Sequence, residues 1–137
     1  MQFVINNWHL FLGIAVVLFL LLAAPVSQLI HGVKGVAAAQ AVQLLNRESG
    51  LFVDVREPAE FAAGHIPDAF HIPLAQLRAR VRELEKFKGR PLIVYCRTGQ
   101  RSGRGAVILR RQGFAAVHNL AGGIQAWQGE NLPVRKD

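Results

Sequence analysis

From Leu10 to Ala24 the chain carries no polar side chain, and the apolar character extends more loosely from Trp8 to Ile30. A helix of about 20 apolar residues crosses the hydrocarbon core of a bilayer, so the pattern predicts a transmembrane helix over 8–30. A tail, 1–7, would precede it and a linker, 31–35, would follow, with Gly32 and Gly35 marking the break. A helix buried in a globular core needs apolar surroundings on every side when it shows no polar face. A cleaved signal peptide needs Lys or Arg ahead of its apolar core, and residues 1–9 contain neither. Ala37-Ala-Ala39 mimics a cleavage site but stands too far from the apolar run.

Beyond Val36 the pattern becomes that of a folded domain, 36–137. Ala38, Ala41, Val42 and Leu45 fall on one helical face, ending near Glu48-Ser-Gly50. Leu51 to Val55 reads as a strand, Pro58 sits at the first turn of a short helix through Phe61, and Gly64 stops it. Ala69 to Ile72 is a short strand, and Pro73 introduces a helix with Leu74, Leu77, Val81 and Leu84 at spacings of three and four. A strand over Leu92 to Tyr95, a helix over Ser102 to Gln112 ended by Gly113, a strand over Val117 to Leu120 and a short helix around Trp127 complete the domain. Strands alternating with helices predict an α/β fold with a central, largely parallel β-sheet flanked by helices, and ligands in such folds sit beyond the carboxyl ends of the strands.

Charge adds orientation. The chain has a formal net charge of +7, and all nine acids and fifteen of the sixteen Lys/Arg residues lie in the domain. No Lys or Arg precedes the apolar run and Lys34 follows it, so the positive-inside rule places the domain in the cytoplasm, tethered to the bacterial inner membrane by a single pass. A basic domain beside an anionic leaflet is drawn to the lipid membrane. Basicity without any nucleic-acid motif predicts no nucleic-acid partner. One cysteine excludes an internal disulfide and a Cys-rich metal site, and His9, His31, His65, His71 and His118 have no ligand spacing; no metal and no cofactor is expected.

That cysteine is where the chemistry concentrates. Cys96 ends the apolar run Pro91-Leu-Ile-Val-Tyr-Cys96 and is followed at once by Arg97-Thr-Gly-Gln-Arg-Ser102. A lone cysteine after a strand is ordinarily an inert core residue, but such a residue needs neither Arg97, Arg101 and Arg104 after it nor Gly99 to let the main chain curl. Backbone N–H groups of the loop and of the first helical turn would point at the sulfur and lower its pKa. The pattern predicts a reactive thiolate and an anionic substrate.

Cys96-Arg-Thr-Gly-Gln-Arg-Ser102 resembles the active-site loop of rhodanese-type sulfurtransferases. Leu51-Phe-Val-Asp-Val-Arg-Glu57, with Glu60-Phe and Gly64-His-Ile-Pro67, is similar to their upstream signature, and Asn119-Leu-Ala-Gly-Gly-Ile-Gln-Ala-Trp127 to the segment that closes the domain. With its apolar N-terminus the chain looks like the membrane-anchored single-domain members of Gram-negative bacteria. The resemblance implies a rhodanese-like domain in which Cys96 takes sulfane sulfur from a thiosulfate-like or persulfide donor, carries it as a persulfide and yields it to a thiol or cyanide acceptor. Arg97, Thr98, Gly99, Gln100, Arg101 and Ser102 would bind the substrate, with Asp54 and Arg56 bracing the loop from the neighbouring strand end. His65 in its turn and Trp127 in its short helix read as structural. Phosphatases and arsenate reductases of this fold carry five residues between Cys and Arg, whereas four separate Cys96 from Arg101, which favours sulfur over phosphate. The alternative is a non-catalytic binding module of the same fold that recruits a protein partner, such as a membrane protein, to the membrane.

Overall fold

The computed structural model describes residues 1–30 and 32–136, the side chains of 24–30 excepted. Two helices come first, α1 (Gln2–Asn6) and α2 (Trp8–Ile30), and the domain follows in the order β1 (Lys34–Val36), α3 (Ala38–Arg47), β2 (Leu51–Asp54), α4 (Pro58–Ala63) and β3 (Phe70–His71). The chain continues through α5 (Leu77–Arg80), β4 (Leu92–Tyr95), α6 (Gln100–Arg111), β5 (Val117–Leu120) and α7 (Gly123–Gly129). The helix expected after Pro73 is broken, α5 being one α-helical turn between 3₁₀ stretches at Leu74–Gln76 and Val81–Phe87. Spacings of three and four suit a 3₁₀ turn as well as an α turn, so the apolar pattern alone does not separate them.

Five parallel strands form the sheet in the order β1-β5-β4-β2-β3. β4 is central, with Val94 opposite Val53 of β2 and Asn119 of β5. Strand side chains alternate between faces. Leu92, Val94 and Cys96 join one buried cluster with Leu77, Ala106 and Leu109, while Ile93 and Tyr95 join another with Phe52, Ala41 and Trp127. Each fully buried Leu or Ile contributes about 1.5–3 kcal/mol, and the two layers fix the sheet between its helices. The same alternation carries the sulfur to the face covered by α6. Close packing there uses Gly105, where an added Cβ would touch Leu77, Val55 and Val94 at 3.4 Å.

The N-terminal expectation is corrected. Among the described residues no helix is long and apolar enough to cross a membrane. The transmembrane helix over 8–30, the inner-membrane localisation, the cytoplasm-facing orientation and the lipid and membrane-protein partners inferred from it therefore lose their basis. His31, in the expected linker, lies outside the described residues.

Candidate functional site

The site is built where β4 leaves the sheet. Tyr95 is the last strand residue, Cys96 follows on the α6 side, and Gly99 at φ +105° turns the chain so that α6 starts at Gln100, two residues earlier than expected. That φ lies in the region that a glycine enters without steric cost. The curl brings the Gly99 amide to 3.1 Å from Cys96 Sγ, where it donates a hydrogen bond. The amides of Thr98 and Ser102 also act on the sulfur. Cys96 itself is 1% exposed, so the sulfur is surrounded by donors rather than by water.

The closing segment aims these donors. Ile124 N–H donates to Cys96 O at 2.9 Å and Gln125 N–H to Arg97 O at 3.2 Å, both from the first turn of α7. In a planar trans peptide C=O and N–H point in opposite directions, so binding the Arg97 carbonyl at α7 turns the Thr98 N–H toward the sulfur. The approach is close: a Cβ on Gly123, at φ +59°, would stand 2.5 Å from Cys96 O and from the Arg97 carbonyl. The paired glycines are what let α7 reach the loop.

Burial alone raises the pKa of the Cys96 thiol, but the Ser102 hydroxyl and the amides of Ser102, Gly99 and Thr98 outweigh it, and the net direction is downward. Arg101 adds positive potential at this position. Its guanidinium is engaged by Glu60 of α4, with Nη1 to Oε1 at 2.7 Å and Nη2 to Oε2 at 2.9 Å. That bidentate partner pulls the Glu60 carboxyl from its ordinary 4.5 down to about 2. Arg97, Thr98, Gln100 and Arg104 are exposed, whereas Ser102 is fully buried. Ser102 Oγ is 3.4 Å from Cys96 Sγ and donates to Asn119 Oδ1 at 2.6 Å.

Asp54 and Arg56 lie one layer away. Asp54 is fully buried at the end of β2 and accepts from Arg56 N at 2.9 Å, Nε at 3.1 Å and Nη2 at 2.7 Å. Arg56 Nη2 also donates to Gly64 O at 2.7 Å, and its guanidinium lies over the Tyr95 ring. Burial and the neighbouring Asp54 carboxylate raise the pKa of the Tyr95 hydroxyl, which accepts from Ile66 N–H at 3.1 Å. The pair is thus no surface ion pair: it holds the turn after α4, the helix that carries Glu60, and lies against Tyr95, the residue that precedes Cys96. His65 Nδ1 lies 3.0 Å from Phe61 O, and Trp127 Nε1 donates to Pro133 O at 2.8 Å.

Glu60 and Asn119 are the two site neighbours to which sequence reasoning assigned no role. Both stand inside recognised motifs, and unpaired loop cations signal a need for a carboxylate. Their contacts nevertheless span 41 residues to Arg101 and 17 to Ser102, which periodicity cannot reveal.

The Rhodanese-like domain family matches residues 37–130. A sulfurtransferase of Allochromatium vinosum is 42% identical over 92 residues, covering 67% of this chain and 84% of the relative. The uncharacterized protein YibN of Escherichia coli is 34% identical over 135 residues, 98% of this chain and 94% of its own length. Among solved structures, a rhodanese-related protein of Thermoplasma volcanium superposes with a TM-score of 0.69 at 30% identity, covering 76% of this chain and 99% of that one. With the parallel sheet, the thiol at the end of its central strand and the curled loop that precedes α6, these matches establish that the chain belongs to the rhodanese-like domain family.

Proposed function

We propose that the protein is a sulfurtransferase that moves sulfane sulfur through a persulfide on Cys96, with thiosulfate or a persulfide as donor. The observation that carries this reading is the sulfur's setting: Cys96 Sγ accepts from the Gly99 amide at 3.1 Å at the head of α6, an arrangement that stabilises an anion on the sulfur. In the first step the thiolate attacks the outer sulfur of thiosulfate. A new S–S bond forms, the old one breaks, and sulfite leaves with the electron pair. In the second step cyanide or a thiolate attacks the outer sulfur of the persulfide, and the Cys96 thiolate is the leaving group. Arg97, exposed beside the sulfur, would meet the anionic donor, and the loop amides would steady the persulfide's charge. Arg101 contributes from a distance, since Glu60 occupies its donors.

The four residues between Cys96 and Arg101 make a ring sized for one sulfur, because a phosphoryl group needs donors at three peripheral oxygens. The test is the full chain assayed with thiosulfate and cyanide. Thiocyanate and sulfite should form in equal amounts, a persulfide adduct should accumulate on Cys96 when cyanide is withheld, and aryl phosphates should not be hydrolysed. Cys96→Ser should eliminate transfer while leaving the circular dichroism melt unchanged. Turnover retained in Cys96→Ser, or aryl phosphate cleavage as fast as thiosulfate consumption, would overturn the reading.

A further inference from the structure

Ser102 is fully buried, with its hydroxyl between two acceptors. Asn119 Oδ1 lies at 2.6 Å on one side, and Cys96 Sγ at 3.4 Å on the other. The orientation of the Asn119 amide is set independently, because Nδ2 donates to Gly99 O at 3.0 Å. The carbonyl end therefore faces Ser102. A hydroxyl carries one proton. When Cys96 is a thiol every group is satisfied: S–H donates to Ser102 Oγ, and Ser102 O–H donates to Asn119. When Cys96 is a thiolate, two acceptors compete for that single proton. If Ser102 turns to the sulfur, Asn119 Oδ1 is left without this donor at a residue 8% exposed. If Ser102 stays, the thiolate faces an oxygen lone pair.

We propose that Asn119 restrains the ionisation of Cys96 by drawing the Ser102 hydroxyl proton to its own side. The proposal rests on Cys96 being the reactive thiol and makes Asn119 a positioning residue that acts through Ser102. Ionisation breaks only the S–H bond; the proton passes to water and the electron pair stays on sulfur. The charges around the sulfur are Arg101 of α6, paired with Glu60 of α4, and the exposed Arg97 and Arg104, all retained when residue 119 or 102 is changed.

The test is the pH dependence of iodoacetamide alkylation of the full chain. Asn119→Ala and Asn119→Leu free the hydroxyl for the sulfur, so the midpoint should fall by about one pH unit, the difference between a neutral and a charge-assisted hydrogen bond. In Ser102→Ala, which has no hydroxyl to free, adding Asn119→Ala should give no fall. If Asn119 only tethered the Gly99 carbonyl, its loss would loosen the amide ring and move the midpoint upward. A rise, or no change, in folded Asn119 variants overturns the proposal. Should both variants unfold, the wild type supplies the reading: the side-chain carbonyl carbon resonance of Asn119 should shift with the alkylation midpoint and not in Cys96→Ser. A flat resonance overturns the proposal equally. Since no turnover is measured, a chain that shows these shifts without transferring sulfur would sink the sulfurtransferase reading and leave this one intact.

Discussion

At Gly123 the space for a side chain is a single hydrogen. A methyl group there would meet the Cys96 and Arg97 backbone at 2.5 Å in a left-handed conformation, so both strain and overlap act together. Gly123→Ala should lower stability by about 2–4 kcal/mol in urea unfolding, and it should also slow alkylation of Cys96 at neutral pH. Asp54 poses the opposite problem, a full charge with no water. Removing it in Asp54→Ala leaves Arg56, 5% exposed, without its counter-ion, and the expected loss is about 3–5 kcal/mol by the same measurement. Both positions belong to motifs visible in the sequence, the glycine pair and the Asp-Val-Arg strand end. What Gly123 lies against was not visible, because a local pattern carries no information on which distant backbone would stand 2.5 Å from an added Cβ.

Between elements, the contact that joins the Cys loop to the other end of the site is the α4 to α6 pairing of Glu60 with Arg101. Glu60 titrates lower in the folded chain than in the unfolded one, at about 2 against an ordinary 4.5. Its contribution is therefore complete above about pH 4.5 and is lost as the pH falls through about 2. Both side chains are about one-third exposed, so solvent screening holds the worth of the pair to about 1 kcal/mol. Glu60→Gln should be less stable than wild type by that amount at pH 6, with the gap closing toward pH 2, as read by denaturant midpoints. Most elements were legible: short continuous apolar runs mark β2 and β4, and Gly64 and Gly113 mark helix ends. β1 was not, because Lys34-Gly-Val36 is three residues long with one buried side chain, too little for a period. The 3₁₀ stretches around α5 escaped because spacings of three and four fit a 3₁₀ turn as well as an α turn.

For the molecule as a whole, β1 matters more than its size suggests. The family match begins at residue 37, yet β1 pairs with β5 through Lys34, Gly35 and Val36, and Val33 just ahead of it is 3% exposed in the core. A chain starting at Val33 should keep the full sheet, whereas one starting at Ala37 should lose about 2–3 kcal/mol from the buried valines and the missing strand pairing. Comparative melts of the two truncations would decide it, and equal melting temperatures would show β1 to be dispensable.

The position of β5 has a consequence in time. β5 comes late in the chain but lies inside the sheet, between β1 and β4, and α7 after it holds the carbonyls of Cys96 and Arg97. A ribosome delivers both after β4 and the Cys loop, at about 5–20 residues per second. Until then the nascent polypeptide has neither a slot filled beside β4 nor the Arg97 carbonyl held at α7. Its cysteine emerges before the α7 contacts to the Cys96 and Arg97 carbonyls can form, so its folded setting is completed only after α7 has been made.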